Sequence, residues 1–110
     1  MEKKLLKSFK DLTVWQKADE LAFQIYAVTN QMRRAAFSVP ANIAEGYARS
    51  SFKEKTQFYI IARGSLTELE YYIDFSLRLK YVIEEQHREL ANLRNEVGRL
   101  LNGLIQSVKA

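Results

Sequence analysis

From Phe58 to Leu79 no proline interrupts the chain, and Phe58, Ala62, Ser65, Leu69, Tyr72, Ser76 and Leu79 recur at alternating spacings of four and three. That period marks one face of an α-helix. Tyr59, Leu66, Ile73 and Leu77 add apolar surface beside it. The pattern supports a helix of about 25 residues, roughly 40 Å at 1.5 Å per residue. So wide an apolar stripe must be covered by other helices, and the part they leave uncovered is expected to meet another subunit.

The rest of the chain supplies such helices. After Thr13, a candidate N-cap, Val14, Ala18, Leu21, Ile25 and Val28 form one stripe. Met32, Ala35, Ala36, Val39 and Ile43 form a second, closed by Gly46. Ser51 to Glu54 has the order of a capping box at the start of the long helix. Leu90, Leu93, Val97, Leu100 and Leu104 make a fourth stripe, widened by Leu101, Ile105 and Val108. Strand-like alternation is missing over any useful length. The expectation is an all-α, antiparallel four-helix bundle in one domain, residues 1–110, with residues 1–10 as a basic N-terminal arm.

Composition agrees. In 110 residues, 47% are hydrophobic, and four glycines and one proline are too few for a turn-rich β-fold. No segment approaches the ~20 apolar residues of a membrane span. The first residues carry lysines without an apolar run, unlike a secretory signal. Without cysteine there is no disulfide framework, thiolate nucleophile or Cys-based zinc site. A cytoplasmic location follows as the expectation.

The one proline, Pro40, breaks the helical rule inside the second stripe. It removes the N–H that would bond the Ala36 carbonyl, so a kinked second helix is expected. Arg34, Ser38, Asn42 and Glu45 lie along one strip of that helix, and Arg63, Ser65 and Glu68 form a polar group on the third. These two groups are expected to meet as a buried structural network, with Ser38 or Asn42 serving freed backbone groups and Glu45 pairing with Arg63 or Arg34.

Catalysis finds little support. Glu45 and Glu68 are the only carboxylate pair suggested by the pattern, and the single histidine, His87, sits in a charged stretch. The Arg-x4-6-His signature of helical-bundle RNases would need an arginine where Lys80, Tyr81 and Val82 stand. A Gly-rich phosphate loop is also missing. The reading is a non-enzyme with no catalytic residue, metal or cofactor.

Charge is more informative. The net charge is +4, divided as +5 over residues 1–65 and −1 over residues 66–110. Lys3, Lys4, Lys7 and Lys10 of the arm, with Arg33, Arg49, Lys53 and Lys55, are candidate contacts to the phosphates of RNA or DNA. Without a base-reading motif, binding is expected to lack strong sequence preference. The rival reading is a scaffold or accessory subunit that holds a nucleic-acid enzyme without touching nucleic acid.

The stretches "FKDLTVWQKADELA", "QMRRAAFSVPANIAEGYARSS" and "ARGSLTELEYYI" resemble the four-helix-bundle family named after proteins encoded in intervening sequences of bacterial 23S rRNA genes. The resemblance implies a bacterial homopentamer, and distantly similar bundles serve as accessory subunits of diversity-generating reverse transcriptases. The family usually has a longer connection between its first two helices, with a proline and acidic residues. Here "AVTNQMRR" leaves two expectations: a very tight corner, or connecting residues absent between Asn30 and Gln31.

Overall fold

A computed structural model describes residues 6–25 and 30–109. It contains a 3-10 turn, Phe9–Asp11, and four helices: α1 Thr13–Ile25, α2 Asn30–Ala48, α3 Phe52–Arg78 and α4 Glu84–Lys109. The described residues contain no strand. The helices form a square in which α1 packs on α2 and α4, and α3 packs on α2 and α4. Cross-helix partners set the directions. Lys55, Ser65 and Ser76 of α3 meet Tyr47, Ser38 and Met32 of α2, so one helix ascends as the other descends. Arg63, Arg94 and His87 fix the same antiparallel relation between α3 and α4. The expected antiparallel four-helix bundle is therefore the fold, 43 Å in its longest dimension.

The core follows the stripes, with two rotations. Val14, Ala18 and Leu21 of α1 and Met32, Ala35, Ala36, Val39 and Ile43 of α2 are buried as the spacing implies. Val28 and the side chain of Ile25 lie outside the described residues. In α3 the buried row is Tyr59, Ala62, Leu66, Leu69, Ile73 and Ser76, while Phe58 and Tyr72 are half-buried and Leu79 is exposed. The reason is that α3 touches two neighbours. Ser65 and Ser76 face α2, whereas the Leu66 carbonyl faces Arg94 of α4. In α4 the buried row turns from Val97 to Leu101 and Ile105, and Leu100 and Leu104 are half-buried. At 3.6 residues per turn a fixed four–three alternation drifts, and the row nearest the bundle axis takes over.

The helix ends explain the boundaries. Leu12, not Thr13, caps α1: its carbonyl accepts the Gln16 N–H at 3.0 Å. The preceding turn is closed by Ser8 and Asp11, with the Asp11 carboxylate accepting the Ser8 N–H at 3.1 Å and the Lys7 N–H at 2.7 Å. Phe9 then packs edge-on against Trp15 at 5.2 Å between centroids. The expected arm thus becomes folded structure from about Ser8 onward. Ser51 caps α3 as its spacing predicts, accepting the Glu54 N–H at 3.1 Å.

Two further expectations change. Asn30 and Gln31 are consecutive residues of α2, so the boundary between the first two helices does not fall between them. The connection belongs to residues 26–29, which lie outside the described residues. Gly46 does not end the second helix either, since α2 continues through Pro40 and Gly46 to Ala48.

Candidate functional site

The square topology brings the candidate basic residues to one end of the bundle. α1 begins there, α2 ends there, α3 begins there and α4 ends there. Lys7, Lys10, Arg49, Lys53, Lys55 and Lys109 therefore share that end, against Asp11, Glu45 and Glu54. Lys7, Lys10 and Lys53 are exposed. Lys3 and Lys4 lie outside the described residues. Arg33 belongs to the opposite end, near the start of α2, where it is half-buried and has contacts of its own.

Two cations of this end are engaged within the fold. Lys55 Nζ donates to the Tyr47 carbonyl at 2.8 Å and the Gly46 carbonyl at 3.4 Å. It thereby supplies a donor to the Tyr47 carbonyl at the C-terminus of α2, adds a second donor to the Gly46 carbonyl that already accepts the Arg49 N–H at 3.2 Å, and places a positive charge at the negative end of the helix dipole. Arg49 pairs with Glu45 at 3.0 Å, one turn back, and its guanidinium lies 4.7 Å from the Phe58 ring centroid. The sequence pattern alone presents both as free cations. The cue to Lys55 is its position one turn inside α3, directly after the short connection from α2.

The expected polar network exists in reduced form. Ser65 Oγ donates to Ser38 Oγ at 2.7 Å across the α2–α3 interface. Asn42 Nδ2 donates to the Ser38 carbonyl at 2.8 Å and to Ser38 Oγ at 3.0 Å. All three side chains are half-buried. Arg34, Glu45, Arg63 and Glu68 are exposed and do not join them. Glu45 turns to Arg49, and Arg63 reaches across to Asn102 of α4 at 3.4 Å. The physical reason is length: short hydroxyl and amide groups fit between closely packed helices, while long charged side chains gain more by extending into water. Glu45 and Glu68 do not form a buried carboxylate pair.

A second polar row joins α3 to α4. Arg94 Nε donates to the Leu66 carbonyl at 3.1 Å and its guanidinium lies 3.4 Å from Glu70. His87 Nε2 is 2.8 Å from Asp74 Oδ1. Among the described residues, no group of three His, Asp or Glu side chains is placed to hold a metal ion. No helix of the described residues is long and apolar enough to cross a membrane.

Apolar groups remain outside the core. Ile60, Ile61, Tyr71, Phe75, Leu79 and Tyr81 are exposed on or just beyond α3. Gly64 interrupts that row with open space around it. Met32, Tyr72, Ser76 and four of these residues line a groove of about 420 Å³ between α2 and α3. On the neighbouring side of the square, Phe23 of α1 is 83% exposed beside Phe37 of α2.

These features define an all-α four-helix bundle. The chain belongs to the 23S rRNA-intervening sequence protein family, whose model matches residues 10–103. It is also similar to a crystallised protein with unknown function from the S23 ribosomal protein family of Bacteroides thetaiotaomicron VPI-5482. The two superpose with a TM-score of 0.80 and 25% identity, over 84% of this chain and 98% of that one. No functionally curated protein matches the chain.

Proposed function

We propose that this chain is a non-catalytic, self-assembling bundle of the bacterial cytoplasm that binds RNA or DNA through the phosphate backbone, without strong sequence preference. The observation that carries the reading is the convergence of exposed Lys7, Lys10 and Lys53 on one end of the bundle. In a cyclic assembly with helices along the symmetry axis, these ends fall on one rim and their charges add. The family resemblance suggests five copies. The stripe left exposed on α3 supports self-assembly, because a monomer gains nothing from showing Ile61, Tyr71 and Tyr81 to water.

The test is a mobility-shift titration across salt concentrations. Each phosphate contact contributes about −0.9 to the slope of log affinity against log salt on duplex DNA, and about −0.7 on single strands. Replacing Lys7, Lys10 and Lys53 together by glutamine is expected to flatten that slope with the assembly intact. An assembled wild-type protein that shifts neither RNA nor DNA at low salt refutes the nucleic-acid reading. The exposed groove then favours the second reading, a scaffold or accessory subunit for a nucleic-acid enzyme.

A further inference from the structure

Outside the core, Tyr47, Phe52 and Phe58 stand around the α2–α3 connection, and two of these rings are covered. The Arg49 guanidinium lies 4.7 Å from the Phe58 ring centroid, and the Lys55 ammonium lies 5.5 Å from that of Tyr47. Phe52, the first residue of α3, has no ring or cation partner among the described residues. It is 64% exposed, at the end of the bundle that gathers Lys7, Lys10 and Lys53. Its chain neighbours Ser50, Ser51, Lys53 and Glu54 are exposed and polar. The Ser51 cap, and the bond from Thr56 Oγ1 to the Phe52 carbonyl at 2.8 Å, hold its backbone in the first turn of the helix. A bare ring thus stands on a fixed stem in a basic rim.

We propose that Phe52 stacks on an unpaired base, so that the basic rim takes single-stranded nucleic acid in preference to duplex. The inference rests on the phosphate-binding reading above and adds the class of strand. Every base has a π-face that stacks on an aromatic side chain, whatever the sequence. In a duplex those faces are covered by neighbouring pairs, whereas a single strand can turn one out. Lys53 is exposed and adjacent to Phe52 in the chain, so ring and ammonium serve adjoining parts of one strand. The acidic groups at this end do not offset that. Glu45 is paired with Arg49 and Asp11 caps its own turn, which leaves Glu54 against Lys7, Lys10, Lys53 and Lys109. The polar surroundings of Phe52 also decide between occupants. A second copy or a lipid surface would need continuous apolar area around the ring, and Ser50, Ser51, Lys53 and Glu54 offer none. A stacked base needs only the ring face and keeps its edges and phosphate in water.

Binding of an unstructured thymidine oligonucleotide and of a duplex of equal length, across salt concentrations, tests the assignment with Phe52→Ala and Phe52→Trp. Phe52 is exposed, so both variants are expected to keep the wild-type unfolding temperature and sedimenting mass. The wild type is expected to hold the oligonucleotide more tightly than the duplex. Phe52→Ala is expected to weaken the oligonucleotide about 5- to 150-fold at every salt concentration, with an unchanged salt slope and little effect on the duplex. Phe52→Trp is expected to keep the affinity and to add a tryptophan emission that the oligonucleotide quenches. The wild type supplies the baseline, since its one tryptophan, Trp15, is half-buried against Phe9. A wild type that prefers duplex, or a Phe52→Ala variant that weakens both probes equally or neither, overturns the stacking assignment and leaves the phosphate reading standing. A Phe52→Ala variant with a lower sedimenting mass assigns the ring to a contact between copies, and the proposal fails. It also fails if Phe52 is required for co-sedimentation with phosphatidylserine vesicles and not for oligonucleotide binding. A wild type that shifts neither probe at low salt removes the phosphate reading itself, and the stacking assignment with it.

Discussion

Gly46 of α2 stands so close to Tyr59 of α3 that a methyl group on its Cα would lie 2.5 Å from Tyr59 Cε1 and 2.8 Å from Cδ1. Tyr59 is buried among the core residues, so its ring has little room to retreat. The Lys55 carbonyl, 3.2 Å from the same methyl position, closes the other side. Gly46→Ala is therefore expected to destabilise the fold by about 1–3 kcal/mol through overpacking, even though alanine is the better helix former. Thermal unfolding checks this, and a Gly46→Ala, Tyr59→Leu double variant is expected to cost less than the sum of its parts.

Burial also governs the Tyr59 hydroxyl. Desolvation, with a smaller contribution from Tyr47, holds its pKa above the ordinary tyrosine value. The folded state thus binds this proton more tightly than the unfolded state. Its contribution to stability is complete below about pH 10, the unfolded value, and is lost as pH rises through the folded one. Urea unfolding at alkaline pH is expected to show the wild type weakening more steeply than Tyr59→Phe, with parallel behaviour at neutral pH.

The Ser38–Asn42–Ser65 cluster gives a contrast with Glu45. Ser65→Ala removes the hydroxyl that crosses between helices and is expected to cost about 0.5–1.5 kcal/mol. A Ser38–Ser65 double-mutant cycle in chemical denaturation is expected to give a favourable coupling. Glu45→Ala breaks only an exposed pair and is expected to change stability by less than about 0.5 kcal/mol.

The parts legible from sequence are those set by apolar spacing. On α2 the stripe Met32, Ala35, Ala36, Val39 and Ile43 is buried as predicted, with Pro40 buried beside it. α3 is legible in extent but not in rotation, because two neighbours and an exposed outer row share its apolar surface. The polar network is legible in its short members and not in its charged ones: spacing places Glu45 on the strip of Asn42, but cannot weigh Arg49 against Arg63 as a partner. Lys55 as a cap of α2 depends on the register between two helices, which one-dimensional periodicity does not specify. The Ser8–Asp11 box is visible as the pattern Ser-x-x-Asp, and it is the cue that the basic arm folds from Ser8 onward.

Lys80 offers a test at the far end of α3. Its φ of 62° places a non-glycine residue in the left-handed region. The Lys80 N–H bonds to the Leu77 carbonyl at 3.0 Å and the Tyr81 N–H to the Ser76 carbonyl at 2.9 Å, the paired bonds of a Schellman ending. Glycine adopts this conformation without the Cβ penalty. Lys80→Gly is expected to stabilise the fold by about 0.5–1 kcal/mol, less than the full penalty because glycine also frees the unfolded chain. Equal or lower stability in thermal unfolding refutes that account of the ending.

Lys55 and Lys53 separate structural from binding cations. They lie two residues apart at the same end of the bundle, yet Lys53 is exposed and Lys55 directs its ammonium to the last carbonyls of α2. Replacing Lys55 by methionine keeps most of the aliphatic stem and removes the charged donor. The two carbonyls are left without this partner and the helix dipole without its counter-charge, so stability is expected to fall by about 0.5–1.5 kcal/mol. Its effect on the salt slope of nucleic-acid binding is expected to be small, because the ammonium is already engaged. Lys53→Met is expected to behave in reverse, with unchanged unfolding and a slope reduced by about 0.7–0.9 for each phosphate that Lys53 neutralises. Measuring both variants by thermal unfolding and salt-dependent mobility shift decides the assignment. If Lys55→Met flattens the slope as much as Lys53→Met and leaves unfolding unchanged, the cap breaks readily in solution and Lys55 returns to the phosphate-binding set.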